Sequence, residues 1–554
     1  MKSHETQGIE VMRYSDIKVV QFISLNRNKM HIAVILGLLF LVAGCSMVGP
    51  DFVKPEAPVA EEWTEIEGPG LTRGEADYST WWEAFDDPVL NQLIEKAYQQ
   101  NLTLEAAGLR ILQARAQLGI AIGSLYPQKQ RAYGEYAANQ QSESLGTPVF
   151  DPQYGSLGLG FDAAWELDVW GKYRRSVESG AANLEATIAG YDDILVSITA
   201  EAARSYIQIR TFEKRLEITQ ENVEIQERSL ALALARFEGG EVSKLDVTQA
   251  RSLLYNTKAL VPSLQTSLEQ TKNALAILLG VLPGELEIMI TGPVKIPEVS
   301  QDIIVELPAE LLRRRPDVRL AELRVAAQSP QIGVAKADLY PHFSLFGAIG
   351  WKATNASFPG EDNSLGDIFS SKSLFWTAGP SISWDIFNYG RIKNRVRAED
   401  ALFQQTVVKY RNSVLDAHKE VENAIVAFLR SREEETFLKG SVESSEESVR
   451  LSLLQYEEGL LDFQRVLDTQ RVLSTQANRW SGTQGRVSTN LVALYKALGG
   501  GWQIRIGKEV IDADTREEMT KRTDWGRLLD SEAVTLPEPS EKVGERGNWH
   551  RPDW

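Results

Sequence analysis

Residues 403–428 read FQQTVVKYRNSVLDAHKEVENAIVAF, with apolar positions at Phe403, Val407, Tyr410, Val414, Ala417, Val421, Ala424 and Phe428. The steps between them alternate four and three residues throughout. That is a 3.5-residue repeat, the seam of a helix that packs lengthwise against other helices. A related stripe holds Ile188, Leu195, Ile198, Ala202, Ile209, Phe212, Leu216, Val223, Leu230, Ala233 and Phe237, in a proline-free stretch from about 172 to 237. A helix of that length, at about 1.5 Å per residue, reaches close to 100 Å. It cannot fold around a compact core and must lie against other rods. Gly239, Gly240 and Gly459 supply the stops, because glycine accepts the left-handed conformation that ends a helix. A second helical pattern follows each stop, so the expectation is two long helical hairpins.

The same plan occurs twice. Residues 110–127, RILQARAQLGIAIGSLYP, and 324–341, RVAAQSPQIGVAKADLYP, share seven of 18 positions at a constant offset of 214. WELDVWG at 165–171 answers WDIFNYG at 384–390, and RFEGG at 236–240 answers QYEEG at 455–459, both at offset 219. A period this long does not belong to a solenoid of short repeats. It reads as an old duplication whose halves each hold a helix, two strands, a very long helix, a turn and a long helix.

The strands are expected at about 128–138, 157–168, 342–351 and 374–386. Their period is two. One face of the second carries Leu157, Leu159, Phe161, Trp165 and Leu167, and one face of the fourth carries Trp376, Ile382 and Trp384. The opposite faces hold Asp162, Glu166 and Asp168, and Thr377, Ser381 and Asp385. Apolar faces with aromatic residues near their ends suit barrel strands facing lipid. A soluble, half-buried strand alternates in the same way. Four strands cannot close a barrel, and an open edge in lipid leaves backbone groups unpaired at several kcal/mol each. A membrane reading therefore requires several chains to pool their strands.

Composition removes other classes. Lys+Arg 59 against Asp+Glu 76 gives −17, a poor balance for binding nucleic acid. A single cysteine forbids an intrachain disulfide and a cysteine-based zinc site, and five scattered histidines do not suggest a metal centre. No phosphate loop or nucleophile motif is present, so neither catalysis nor a cofactor is expected. His342 and His418 lack acid/base partners by spacing and are assigned packing or surface roles. The run Arg313-Arg314-Arg315, bracketed by Pro308 and Pro316, is assigned a structural role on the helix that opens the second half.

The longest apolar run is residues 32–43, IAVILGLLFLVA, with Arg27 and Lys29 upstream. It is too short to span a bilayer and fits the apolar core of an export signal. It ends in LVAGC at 41–45, which resembles a bacterial lipobox, with Cys45 as the thiol that receives lipid and Ser46 as an outer-membrane address.

The blocks in order resemble the TolC-type outer membrane efflux proteins, in the lipid-anchored, NodT-like branch that serves multidrug pumps. The motifs are GPDF at 49–52 with Pro55, WWEAFDDP at 81–88, LPAELLRRRPD at 307–317, and the LYP turns at 125–127 and 339–341. The resemblance implies an α+β membrane protein, a homotrimer whose twelve strands form one outer membrane barrel. Its helices would form a periplasmic α-barrel. It also implies contact with outer membrane lipid, a periplasmic adaptor and an inner-membrane transporter of the RND type. The family closes its tunnel at the hairpin tips, and the matching positions are Asp246, Tyr456, Arg465 and Asp468. Tyr456 and Asp246 match an inter-helix latch, and Asp468 a constriction carboxylate. Arg465 departs from members with a second aspartate there and is expected to pair with Asp468 or Asp246. Exit ducts of type I protein secretion share this fold, and a non-conducting coiled-coil lipoprotein is the rival of another class.

The organisation expected is thus a signal at 1–44, an anchored segment and first helix at 45–100, and a first repeat at 101–300. A second repeat at 301–500 and a polar, largely disordered tail at 501–554 complete it.

Overall fold

The computed structural model describes residues 47–64, 71–74, 77–142, 144, 152–299, 303–305, 314–356 and 363–539. The export signal and Cys45 lie outside the described residues. The chain divides into two compact units. One holds residues 125–175 and 333–393 together with the segment up to Gly49, and the other holds the remainder.

The first unit is a four-stranded antiparallel sheet of β2 (Lys129–Gln140), β3 (Gln153–Glu166), β5 (His342–Thr354) and β6 (Leu374–Ser383), in the order β2-β3-β5-β6. The register lines Gly134 up with Leu159, Leu159 with Trp351 and Trp351 with Leu374. It likewise aligns Phe161, Ile349 and Trp376. Because side chains alternate across a sheet, one face carries Tyr136, Leu157, Leu159, Phe161, Trp165, Leu345, Ile349, Trp351, Trp376 and Ile382. The other carries Arg131, Glu135, Asp162, Glu166, Ser344, Lys352, Thr377 and Ser381, with Tyr133, Tyr154, Phe346 and Phe375 as the bulky exceptions. The strand limits differ from those read in the sequence. β3 begins four residues earlier, paired with β2, and stops at Glu166. Leu167 and Trp384 fall just beyond the strand ends, where the chain turns into residues 168–171 and 385–390. Both outermost strands, β2 and β6, have one open edge.

The loops at the ends of the strands repeat each other. The Trp165 indole N–H donates to the Leu125 carbonyl at 3.1 Å, and that of Trp384 to the Leu339 carbonyl at 3.0 Å. Trp170 stacks on Tyr340 with ring centroids 4.7 Å apart and donates to the Pro341 carbonyl at 2.8 Å. Its counterpart Tyr389 is fully exposed with φ 50°.

The second unit is helical. Its elements are α1 (Pro88–Gln100), α2 (Leu102–Gly123), α4 (Lys244–Leu278), α5 (Pro283–Met289), α8 (Phe463–Ala497) and most of α3 (Lys172–Glu238), α6 (Pro316–Ala337) and α7 (Arg391–Glu457). A short parallel pair, β1 (Leu71–Arg73) with β4 (Ile303–Val305), accompanies them. α3 and α7 have 67 residues each, α4 and α8 have 35 each, and α2 and α6 have 22 each. The heptad stripe of α7 is buried as its spacing requires: Val407, Tyr410, Val414 and Ala417 pack with Val318 and Val325 of α6. Lower down, Val442 and Val449 meet Ile218 of α3 and Leu473 and Ala477 of α8. Close approach is set by small residues. A Cβ on Gly485 of α8 would sit 2.2 Å from Thr211 Oγ1 of α3. Among the described residues, no helix is long and apolar enough to cross a membrane.

The expectation of a disordered tail from Gly501 is corrected for residues 501–539. A short 3-10 turn (Trp502–Arg505) and α9 (Ala513–Arg522) fold onto the helical unit. Ile511, Val534 and Leu536 are buried. The anchor is Arg505, fully buried, which grips the equally buried Asp192 of α3 through Nε and, at 2.9 Å, through its second nitrogen. Arg505 also donates to the carbonyls of Leu536 and Pro537 at 3.4 and 3.3 Å. Polar composition misled the reading, because the apolar residues that pack here, Trp502, Ile511, Val534 and Leu536, follow no helical period and are joined by a buried ion pair. Residues 540–554 lie outside the described residues.

Candidate functional site

Both hairpins end alike. At the first, Gly240 N donates to Phe237 O at 3.0 Å and Glu241 N to Arg236 O at 2.9 Å. At the second, Gly459 N donates to Tyr456 O at 3.0 Å and Leu460 N to Gln455 O at 2.9 Å. This paired closure of a helix end needs a left-handed residue, and Gly240 and Gly459 have φ of 77° and 72°. The returning helices start on side-chain caps. Ser243 and Asp246 form a capping box at α4, with Asp246 Oδ2 accepting from Ser243 N at 3.0 Å. Asp462 caps α8, accepting from Arg465 N at 3.1 Å.

Between the tips lies an apolar cluster drawn from all four long helices: Ala233 of α3, Val247 and Ala250 of α4, Tyr456 of α7, and Phe463 and Val466 of α8. Tyr456 is 2% exposed, and its ring meets Phe463 with centroids 5.0 Å apart. Its hydroxyl is buried with no hydrogen-bond partner. Burial holds the phenol above its ordinary pKa, with the Asp246 carboxylate adding to the rise and the nearby Arg236 opposing it. The Asp246–Tyr456 hydrogen bond expected as a latch is therefore not formed. Asp246 is occupied as a helix cap, and Tyr456 acts through its ring.

The residue that ties the hairpins together is Arg236. Its guanidinium donates to the Tyr456 carbonyl, lies over the Tyr456 ring 4.7 Å from the centroid, and pairs with Glu241 at 2.8 Å. The sequence signal for it is weak, because a basic residue in the last turn of a helix reads first as a complement to the helix dipole. A second tie, Gln470 Nε2 donating to Ser229 Oγ at 2.6 Å, joins α8 to α3 inside the packed region. Asp468 is half-buried and accepts from Gln464 at 3.0 Å and Arg471 at 3.5 Å. Arg465 is exposed, and neither Asp468 nor Asp246 has it as its partner. The Arg465 pairing expected from the sequence is thus replaced by Arg471.

A second polar group lies further along the same unit. Arg315 is buried and donates to the Ala497 carbonyl, to Asp317 at 2.9 Å and to Glu420 at 2.6 Å. This gives Arg315 the structural role expected of it; Arg313 lies outside the described residues. Beside it, burial first and the Asp317 carboxylate next push Asp193 up to about 6, against the pull of Arg315 and Lys496. An acid whose pKa is raised on folding favours the folded state below its unfolded pKa near 4 and loses that favour as pH rises through about 6. Asp193→Asn should therefore be indistinguishable from the parent near pH 4 and more stable by about 2 kcal/mol at pH 7.5. Thermal midpoints of the two proteins across that range measure it. Contrary to the expectation from spacing, both histidines have a carboxylate partner: His342 bonds Glu166 at 2.8 Å, and His418, stacked on buried Trp63 at 4.9 Å, lies 3.7 Å from Glu422. Among the described residues no group of three or more metal-ligating side chains stands together.

This architecture is shared with known proteins. The family model of outer membrane efflux proteins matches residues 93–281 and 307–500. Nodulation protein T of Rhizobium leguminosarum bv. trifolii is 32% identical over 435 residues, 77% of this chain and 89% of that protein. The antibiotic efflux pump outer membrane protein ArpC of Pseudomonas putida is 30% identical over 489 residues, 85% of this chain and 95% of that protein. The solved outer-membrane channel OprN superposes with a TM-score of 0.75 at 32% identity, over 82% of this chain and 99% of that one. The two matched blocks include both long hairpins, and the chain belongs to the family of outer membrane efflux proteins, resident in the outer membrane.

Proposed function

We propose that the chain is the exit duct of a tripartite efflux pump. It conducts drugs or other small toxic compounds passively from a periplasmic adaptor and an RND-type inner-membrane transporter to the outside. The observation that carries this is the sheet. Its one apolar face fits lipid, while its two open edges demand neighbours. Three chains would supply twelve strands for one barrel, and the paired hairpins would supply the tunnel, shut at rest by the tip cluster and Arg236. The equal helix lengths of the two halves support an old duplication. Cys45 would carry the lipid anchor, and Asp468 of each chain would stand at the constriction. A coiled-coil spacer without a pore has no use for a lipid-facing sheet. Detergent-purified protein should insert into planar bilayers as trimers with small, long-lived resting conductance. Protein that remains monomeric in mild detergent and never conducts would rule the reading out.

A further inference from the structure

One cavity of the helical unit holds two opposite charges that no described residue matches. It measures about 230 Å³ and lies among α3, α7, the end of α8 and the residues that open α6. Five of its nine lining residues are charged. Three of these satisfy one another, since Arg315 donates to Asp317 at 2.9 Å and to Glu420 at 2.6 Å. The other two are Asp193 of α3 and Lys496 in the last turn of α8. Among the described residues neither side chain makes an ion pair or a hydrogen bond, with the other or with any third group. The cavity shares Ser197, Arg315, Asp317, Glu420 and Lys496 with a wider one of about 1160 Å³ lined by α3, α7 and α8, which gives a ligand its way in.

Exposed charges on long helices are ordinarily solvated and bind nothing. Asp193 differs. It sits in mid-helix, half-buried, and caps no helix. Its neighbour Asp192 is spent on Arg505, whereas Asp193 is held in the fold at a cost, pushed up to about 6 by burial and by Asp317. A carboxylate kept in that condition inside a cleft, beside a fixed opposite charge, is the pattern of a functional site. We propose that this cavity binds a small zwitterion of the α-amino acid class, with its ammonium on Asp193 and its carboxylate on Lys496. The surrounding charges decide the class. A lone cation would face Arg315 and Lys496, and a lone anion would face Asp193, Asp317 and Glu420. A zwitterion matches both ends and bridges the gap that keeps Asp193 and Lys496 from pairing. Size agrees, because the cavity has the liquid volume of about seven waters and falls below the roughly 300 Å³ at which drug-sized sites begin. The ligand is therefore a small metabolite, distinct from the cargo of the proposed duct. Once bound it ties α3 to α8.

Thermal unfolding of the full chain in detergent tests the site, with glycine, L-alanine and L-serine as probes and acetate and methylammonium as single-charge controls. At pH 7.5 the zwitterions should raise the midpoint by a few degrees, saturably, and the controls at equal concentration should not. The response should vanish in Lys496→Gln, a change at an exposed position that leaves the fold intact, and in Asp193→Asn. Half-saturation should need about tenfold more ligand at pH 5 than at pH 7.5, because Asp193 takes up a proton around pH 6 while the probes keep both charges. The charged groups that face Asp193 during this titration are Asp317, Arg315, Lys496 and Glu420. Equal shifts with acetate or methylammonium overturn the proposal, as does a shift that survives in either variant or is indifferent to pH. Absence of any shift with all three zwitterions overturns it too. None of these outcomes bears on the duct, which trimer formation and conductance test separately.

Discussion

Tyr456→Ala opens the hairpin tips, and Tyr456→Phe leaves them shut. The alanine removes a nearly fully buried ring from a cluster built by four helices and strips Arg236 of the aromatic face it covers. Truncating a large buried aromatic costs about 3–5 kcal/mol, and an oligomer repeats the loss in every chain. A closed-to-open ratio shifts by orders of magnitude for about 5.5 kcal/mol, so the resting pore should conduct openly. Cells carrying the variant should admit bulky antibiotics such as vancomycin. The phenylalanine removes only a hydroxyl that makes no well-formed hydrogen bond and keeps the ring beneath the Arg236 guanidinium. Leaving such a group buried is itself costly, so its removal should be neutral or slightly stabilising. Single-channel recordings of both variants separate the cases. A leak of equal size in Tyr456→Phe would show that the hydroxyl, and not the ring, holds the gate.

Arg505→Ala should release the C-terminal segment. It leaves the Asp192 carboxylate, 1% exposed, without its counter-charge inside the helical unit. Breaking one side of a buried pair costs about 3–5 kcal/mol, while replacing both partners with apolar residues of similar volume is close to neutral. The single variant should lower the thermal midpoint and expose Lys508, Arg516 and Lys521 to trypsin. The double variant Arg505→Met with Asp192→Leu should recover most of the midpoint. Unchanged trypsin cleavage in Arg505→Ala would mean that Trp502, Ile511 and Leu536 hold the segment by packing alone.

The sequence showed the long helices because burial there is periodic. Each of Val407, Tyr410, Val414 and Ala417 follows from a spacing that can be counted. The tip glycines were legible for a related reason, since the conformation they supply is a local property of one residue. The tip contacts were not. Tyr456 was read as a hydrogen-bonding partner of Asp246, but the Ser243 cap competes for that carboxylate three residues away and wins by proximity. Arg236 finds the Tyr456 carbonyl 220 positions later in the chain, a contact that no local pattern encodes. The folded part of the tail was missed for the same reason, because Asp192 lies 313 positions before its partner Arg505.

The two open edges of the sheet also govern how the protein can be built and inherited. On the proposed barrel reading, a chain entering lipid alone would leave backbone donors and acceptors bare on both outer strands, so insertion and association would proceed as one event whose rate rises with local chain concentration. A chain damaged on one edge still offers the other. In the proposed ring it would be recruited and would then stall closure, withdrawing intact chains along with itself. Lesions on β2 or β6 should therefore be dominant over a wild-type allele, whereas lesions that abolish the sheet altogether should be recessive.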